Sequence, residues 1–530
     1  MNPRIDSPNM RENTVVYLLL VGGILLAGLA EAFTGTALSF GRLDMWGDLY
    51  TTSDEFAWLD VSYTSAKLCG FMMVPALFAR FRPIRVLLTA SAVMTVVSVC
   101  MTCTANLYPL VFFRVAQGAA GGILLVGGQT LLFTVFGGKW QPLTQLLFAC
   151  GAVVVPATFA ASLQGWMVDV LTWEAIFLFA AALGMTSLIV LAFIPLRIMC
   201  KSGTKRFDAA GFTFFAVAAF CLTYIAQEGS RWNWFETRHI AILTVFGFAA
   251  LLACILRWIA FPRPNSLVNL SVFDNRDFCF GFAVSFVAGV ALFGSTWLIP
   301  GFTLNVLGLT ATEAGALIAP GGVMFFVALS LTALLLSFSR VHPLATVPLG
   351  IFLIMAGMWM LSGSTSESGS ADLLIPLMIR GTGLGFLFLS LTIYALGGLQ
   401  GSQIAQGVAL FTTFRQFGGL FGVGVLQRYL DHQNAQNGAV LSSHLEAGGV
   451  LLTERLHSVQ AALQSRGMEA GDAAKAAMAF LQKSLTMQSN TISYNEAFFV
   501  IVIVFLIAAP LLVLLKIWLS KRHTAHITAY

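Results

Sequence analysis

The sequence has few charged residues for its length. Asp, Glu, Lys and Arg make up 10% of 530 residues, against roughly 25% in an average soluble domain. Hydrophobic residues make up 58%, and a soluble protein of this size could not cover its surface with so few charges. The same numbers exclude an intrinsically disordered chain. We therefore expect an all-α, polytopic membrane protein embedded in a lipid bilayer, and the small net charge of +5 predicts no nucleic-acid partner.

The sequence also lacks the motifs of common catalytic sites. It has no phosphate-binding Gly-x-x-x-x-Gly-Lys-Ser/Thr motif and no Gly-x-Ser-x-Gly nucleophile motif. Its seven His residues avoid the interiors of the apolar runs, and no metal-ligand cluster is present. No Cys falls in a predicted outside loop, so we expect no structural disulfide. We predict a secondary active transporter without cofactor or metal, and not an enzyme.

Apolar runs long enough to cross a bilayer predict the topology. A membrane-spanning helix needs about 20 apolar residues, and reading the runs between charge, Pro and Gly breaks gives fourteen spans. Their limits are 14–39, 56–79, 85–105, 108–136, 142–168, 173–196, 210–228, 238–260, 277–303, 312–338, 343–363, 372–396, 403–429 and 493–519. Most Lys and Arg residues outside the spans fall on one side when both termini are cytoplasmic, as the positive-inside rule requires. We expect a multi-pass protein of a bacterial inner membrane.

The order of the spans predicts a 6+2+6 organisation. Residues 1–200 are expected to form an N-terminal six-helix bundle, and 201–265 a cytoplasmic linker, with Lys201, Lys205 and Arg206, followed by an inserted two-helix hairpin. Residues 266–530 are expected to form a C-terminal six-helix bundle. Two similar halves are common in secondary transporters, whose substrate sites lie between them.

The only sizeable predicted segment outside the membrane is a periplasmic loop over 430–492, within the C-terminal bundle. Its apolar residues recur at helical spacing in two stretches, with Gly467 and Gly471 between them. One interpretation is a self-packed helical cap. The other is that the apolar stripe docks a partner protein.

Ionisable residues inside spans are the strongest functional signal, because charge is costly in the bilayer. Glu31 lies in the first span, Asp60 and Lys67 lie on one face of the second, and Arg114 lies in the fourth. Such groups must pair, reach water or exchange protons. A pair formed by Glu31 with Lys67 or Arg114 would respond to protonation, or it would simply lock helices together.

Two further arginines lie in later spans, and glycines follow each of them. Arg380 is expected to snorkel to the outer edge or to remain inside, whereas Arg415 lies within the thirteenth span. Small residues allow helices to approach closely. The glycines predicted to serve helix packing are Gly118, Gly122, Gly381, Gly385, Gly418 and Gly419.

Several motifs together resemble the major facilitator superfamily, and more narrowly its fourteen-span drug:proton antiporter branch. They are Leu110–Gly122 with Arg-x-x-Gln-Gly, Leu307–Gly315 with Pro320-Gly321, Arg380–Gly385 and Phe414–Gly419. Tyr494–Phe498 resembles a Gram-negative subgroup that works with a membrane-fusion adaptor and an outer-membrane channel. Glu31 lies one residue beyond the position where the family carries an Asp.

The resemblance implies efflux of hydrophobic or amphipathic small molecules in exchange for protons, with Glu31 carrying the proton and Arg114 tuning it. The residues predicted to serve substrate binding or coupling are Asp60, Lys67, Gln117, Asn305, Arg415 and Gln416. Two other functions stay open. One is dedicated export or import of a single metabolite such as a siderophore, and the other is a non-transporting membrane scaffold or receptor.

Overall fold

The computed structural model describes most of the chain. The described residues are 10–40, 42–156, 158–195, 207–260, 267–339, 341–444 and 449–527, and they form helices and short connections without a β-strand. The predicted boundaries at 200/201 and 265/266, and the linker cations Lys201, Lys205 and Arg206, lie outside them.

Seventeen α-helices follow one another along the described chain. They are α1 (Met10–Phe40), α2 (Arg42–Leu49), α3 (Ser53–Arg80), α4 (Pro83–Met101), α5 (Leu107–Val135), α6 (Trp140–Ala149), α7 (Phe159–Val170), α8 (Glu174–Ala192), α9 (Ala209–Glu228), α10 (Arg238–Ala260), α11 (Arg276–Asn305), α12 (Ala311–Phe338), α13 (Val347–Leu361), α14 (Ser370–Leu396), α15 (Ser402–Ser443), α16 (Val450–Gln464) and α17 (Ala470–Ile527).

The prediction of an all-α polytopic membrane protein is confirmed. Thirteen helices of the described chain are long and apolar enough to cross a bilayer. The fifth expected span, 142–168, differs from the prediction, because it is divided into α6 and α7 by a π-helical turn over Cys150–Val154. Pro156 follows that turn, and a proline lacks the amide hydrogen that a continuing helix needs.

The same set of helix pairings occurs twice. Within the first six spans, the second packs on the fourth (α3 with α5), the third on the fourth and sixth (α4 with α5 and α8), and the first on the sixth (α1 with α8). Later in the chain α12 packs on α14, α13 on α14 and α17, and α11 on α17. Each set therefore has the same internal arrangement, in which α14 takes the place of α5 and α11 the place of α1.

A hairpin of α9 and α10 lies between these two sets. Helix α9 packs on α3 and on α15. At one end of the hairpin, Arg231 forms an ion pair with Asp54, and the Ser230 hydroxyl bonds to Asp431 Oδ2 at 2.5 Å. At the other end, Arg257 Nη2 lies 2.8 Å from Asp208 Oδ1. Burial raises the pKa of Asp208, but hydrogen bonds from Arg257 and the Gly211 amide lower it more, so the net pKa is below its usual value.

The predicted periplasmic loop is largely helical, as expected. Helix α15 continues to Ser443, and α17 runs unbroken for 58 residues from the loop through the last span. Gly467 lies in the turn before α17 with φ of 91°, a conformation that favours glycine. Gly471, in contrast, lies inside the first turn of α17.

The apolar stripe of the loop is used mainly for internal packing. Helix α16 packs on α17, which half-buries Leu456 and Val459 and fully buries Ala473 and Ala477. This packing fits the interpretation of the loop as a helical cap.

Candidate proton and substrate site

Glu31 is buried in α1 and meets two side chains from α3. Its side chain is only 2% exposed. The Tyr63 hydroxyl donates a hydrogen bond of 2.9 Å to Glu31 Oε1, and Lys67 Nζ forms an ion pair with the same oxygen. Tyr63 and Lys67 are four residues apart, which places them on one face of α3. The ion pair and the hydroxyl together allow a carboxylate to remain in an apolar bundle.

Arg114 lies next to this group, in the N-terminal part of α5. It is fully buried, and Nη1 donates to the Thr34 carbonyl at 2.9 Å and to Gln117 Oε1 at 3.0 Å. Its guanidinium lies 4.2 Å from the centre of the Tyr63 ring, a cation–π contact. Arg114 is therefore linked to Glu31 through Tyr63, whose hydroxyl bonds to the carboxylate.

Asp60 extends the group toward the surface. Its Oδ1 lies 3.9 Å from Arg114 Nη2, and its Oδ2 accepts a hydrogen bond of 2.8 Å from Arg42. The side chain of Arg42 is 52% exposed and that of Asp60 28%. Charged and polar groups thus form a continuous row from an exposed arginine to the buried carboxylate of Glu31.

Glycines of α5 bring its backbone against α3 beside these side chains. A Cβ atom at Gly118 would lie 2.2 Å from the Tyr63 carbonyl oxygen, and one at Gly122 would lie 2.3 Å from that of Lys67. The second half has similar close approaches. There, Gly381 faces the Gly321 carbonyl, Gly385 faces that of Phe325, Gly418 faces that of Phe286, and Gly419 faces the Phe293 ring.

The other predicted residues are divided between this group and the second half. Gln117 belongs to the group, since its Oε1 accepts a hydrogen bond from Arg114, and its Nε2 donates to Ser98 Oγ at 2.9 Å. Asn305 lies at the end of α11 and donates to the Tyr494 hydroxyl at 3.1 Å. Arg415 lies over the ring of Phe388 at 4.6 Å, and Gln416 follows it on α15. The structure therefore brings together Glu31, Asp60, Lys67, Arg114 and Gln117, but not Asn305, Arg415 or Gln416.

Three residues of the group were missed in the sequence because they carry no charge. They are Thr34, Tyr63 and Ser98. For Tyr63 a signal was present, since it lies three residues after Asp60 and four before Lys67, and so shares their helix face.

Two sets of helices with the same pairings, and ionisable side chains buried among the helices, are typical of secondary transporters. A family model described as Major Facilitator Superfamily matches residues 20–423, and the chain belongs to that family. This membership confirms a multi-pass membrane transporter rather than an enzyme.

Known proteins are similar to the chain over nearly its whole length. It is 24% identical to the colistin resistance protein EmrB of Acinetobacter baumannii, covering 93% of this chain and 94% of that protein. It is also 24% identical to the multidrug export protein EmrB of Haemophilus influenzae (95% and 96%) and to the fatty acid resistance protein FarB of Neisseria gonorrhoeae (98% of each). A crystal structure of the human organic anion transporter MFSD10 has a similar fold, with a TM-score of 0.52 at 12% identity over 94% of this chain and 100% of that one.

Proposed function

We propose that the protein exports hydrophobic or amphipathic small molecules across the bacterial inner membrane in exchange for protons. The similarity to relatives named for multidrug export and resistance supports the export direction and the broad substrate class. The observation that carries the proton coupling is the buried Glu31 carboxylate, held by Tyr63 and Lys67.

In this proposal Glu31 alternates between two protonation states. When it is ionised, its ion pair with Lys67 holds α1 against α3, and Arg114 adds positive charge on the far side of Tyr63. A proton neutralises the carboxylate and removes the attraction to Lys67, which changes the balance between the two facing states of the transporter. Substrate binding favours the opposite state, and the two events are coupled through this pair.

The test is proton flux in proteoliposomes that contain the purified protein. A pH gradient is imposed, and lipophilic cations, weak acids and chelators are added one at a time to wild type and to Glu31→Gln. We expect several unrelated compounds to drive flux in wild type and none in the variant. Glu454→Gln, an exposed glutamate of α16, is the matched control and should behave as wild type.

Other outcomes would change the proposal. Full flux in Glu31→Gln would remove Glu31 from the coupling step. Flux with one compound class alone would replace multidrug export by dedicated transport of a single metabolite.

We further propose the larger arrangement that this function needs. Residues 1–200 and 266–530 would be the two moving halves, 201–265 would carry the inserted hairpin, and both termini would be cytoplasmic. The periplasmic segment 430–492 would meet a membrane-fusion adaptor and, through it, an outer-membrane channel. Its exposed apolar side chains Met478 and Phe480 supply a contact surface of the right kind.

A further inference from the structure

Arg380 is a buried cation in the second half of the molecule. It lies on α14 with 8% of its surface exposed. Its Nη2 donates to Ser295 Oγ at 2.8 Å and to Thr296 Oγ1 at 3.1 Å, both on α11. Its Nε is buried without a hydrogen-bond partner. The guanidinium is therefore held inside the bundle and does not snorkel to the outer edge.

The groups that hold Arg380 carry no charge. Ser295 Oγ donates its own hydrogen to the Ala291 carbonyl at 2.5 Å, and Thr296 Oγ1 donates to that of Leu292 at 2.6 Å. Both hydroxyls thus accept from the arginine without neutralising it. Among the described residues no carboxylate lies within ion-pair distance of Arg380. A cation taken out of water without a counter-ion costs free energy.

Comparison of the two halves shows that Arg380 lacks the acidic partner that its counterpart in the first half has. Arg380 on α14 corresponds in position to Arg114 on α5, since each lies on the fourth span of its half and reaches the first span. In the first half, Asp60 faces that arginine and Glu31 lies one side chain beyond it. In the second half, the first span presents the uncharged hydroxyls of Ser295 and Thr296 to the arginine, and no acid of the described residues pairs with it.

We propose that Arg380, with Ser295 and Thr296, is a binding subsite for the acid group of an amphipathic organic anion. The proposal rests on the export function above and narrows its substrate class. A planar guanidinium binds a carboxylate through charge-assisted hydrogen bonds, and the unpartnered Nε is a donor left for it. Leu377 and Leu384 are buried on the same face of α14, so the surroundings of the guanidinium are apolar and strengthen such a bond. Arg415 differs, because aromatic rings already lie against its guanidinium.

The experiment compares three ligands that share a ten-carbon chain but differ in charge. Binding of radiolabelled decanoate to the full-length protein in lipid nanodiscs is measured at pH 8, with decanol and decyltrimethylammonium as competitors. We expect wild type to prefer decanoate over decanol, and Arg380→Gln to weaken decanoate binding at least about tenfold, the effect of roughly one strong hydrogen bond. Arg380→Lys should retain part of the preference. The exposed Lys483→Gln is the control.

A second pair of variants tests the missing counter-ion directly. Ser295→Asp places a carboxylate where Arg380 already reaches, so it should fill the subsite from within and abolish the preference for decanoate. Ser295→Asn has nearly the same size without the charge, and it should keep the preference. Binding of the neutral and cationic ligands reports whether each variant is folded.

Each result decides one question. Equal weakening of all three ligands by Arg380→Gln, or equal effects of Ser295→Asp and Ser295→Asn, would overturn the anion subsite and leave export intact. Absence of binding for all three ligands in wild type would count against the proposed export of amphipathic molecules itself.

Discussion

At the scale of single residues, the ion pair of Glu31 and Lys67 can serve one of two roles, and substitutions distinguish them. It is either the site that takes up protons or a fixed link between α1 and α3. Removing one partner of a buried pair leaves an unpaired charge, whereas removing both leaves a neutral contact. Stability and transport therefore respond differently to single and double substitutions.

We predict that Lys67→Met destabilises the protein by about 3–5 kcal/mol, the usual cost of an orphaned buried charge. Adding Glu31→Gln should restore most of that stability, because the side chains at positions 31 and 67 are then both neutral. Thermal unfolding in detergent measures the first effect and proteoliposome flux measures transport. We expect the double variant to be stable and without coupled flux. Recovery of both stability and coupled flux in it would mean that the pair is only a structural link.

The sequence identified the charged members of this group and left the partner of Glu31 open between Lys67 and Arg114, but it did not reveal the uncharged side chains that connect them. Glu31, Asp60, Lys67 and Arg114 were found because ionisable residues are rare in apolar spans. Tyr63, which joins Arg114 to Glu31, is an ordinary aromatic residue in a membrane sequence, and only its spacing on α3 was informative. The burial of Arg380 depends on hydroxyls that lie about 85 positions earlier in the chain, a distance that no local pattern spans.

At the scale of elements, the hairpin of α9 and α10 connects the two halves at one end. Ser230 bonds to Asp431 of α15 and Arg231 pairs with Asp54 of α3. If the halves separate at this end during transport, at least one of these contacts must break.

We predict that two cross-links at these positions together block transport. The pairs are Ser230→Cys with Asp431→Cys, and Arg231→Cys with Asp54→Cys, in a variant that lacks the eight native cysteines. Each pair is joined by a bis-methanethiosulfonate reagent, whose spacer replaces the length of the lost side chains and whose disulfides are reducible. Proteoliposome flux before and after reduction is the measurement. A single cross-link that is tolerated identifies the half with which the hairpin moves.

The control lies within one half. Asp277 and Tyr394 bond at 2.5 Å inside the second half, and a cross-link between them should leave flux unchanged. Flux that persists with both hairpin cross-links in place would show that α3 and α15 do not separate at this end.

Hydropathy located the spans well because length and apolarity are set by the bilayer. It failed at 142–168, where the residues are apolar throughout but the backbone changes its hydrogen-bond pattern before Pro156. The hydropathy of a segment does not depend on its backbone hydrogen bonds, so it could not predict the break between α6 and α7.

At the scale of the whole molecule, the proposed docking role of segment 430–492 can be tested separately from transport. Met478 and Phe480 are about half exposed on α17, outside the predicted last span. We predict that Met478→Ser with Phe480→Ser leaves proteoliposome flux unchanged but lowers drug resistance in cells that hold the adaptor. Drug-resistance assays in cells with and without the adaptor measure this effect.

The neighbouring pair Gln482→Ser and Lys483→Ser, exposed on the same helix, should change neither quantity. Unchanged resistance in the Met478 and Phe480 variant would favour the helical cap over a docking surface.

The unbroken helix α17 also has a mechanical consequence. Between residue 470 and the start of the predicted last span at 493, it extends about 35 Å at 1.5 Å per residue. Because the helix is continuous, each degree by which the last span tilts about residue 493 displaces the other end of this segment by about 0.6 Å. A small change in the inclination of the last span thereby becomes a larger displacement of the start of α17, which would move a protein bound there.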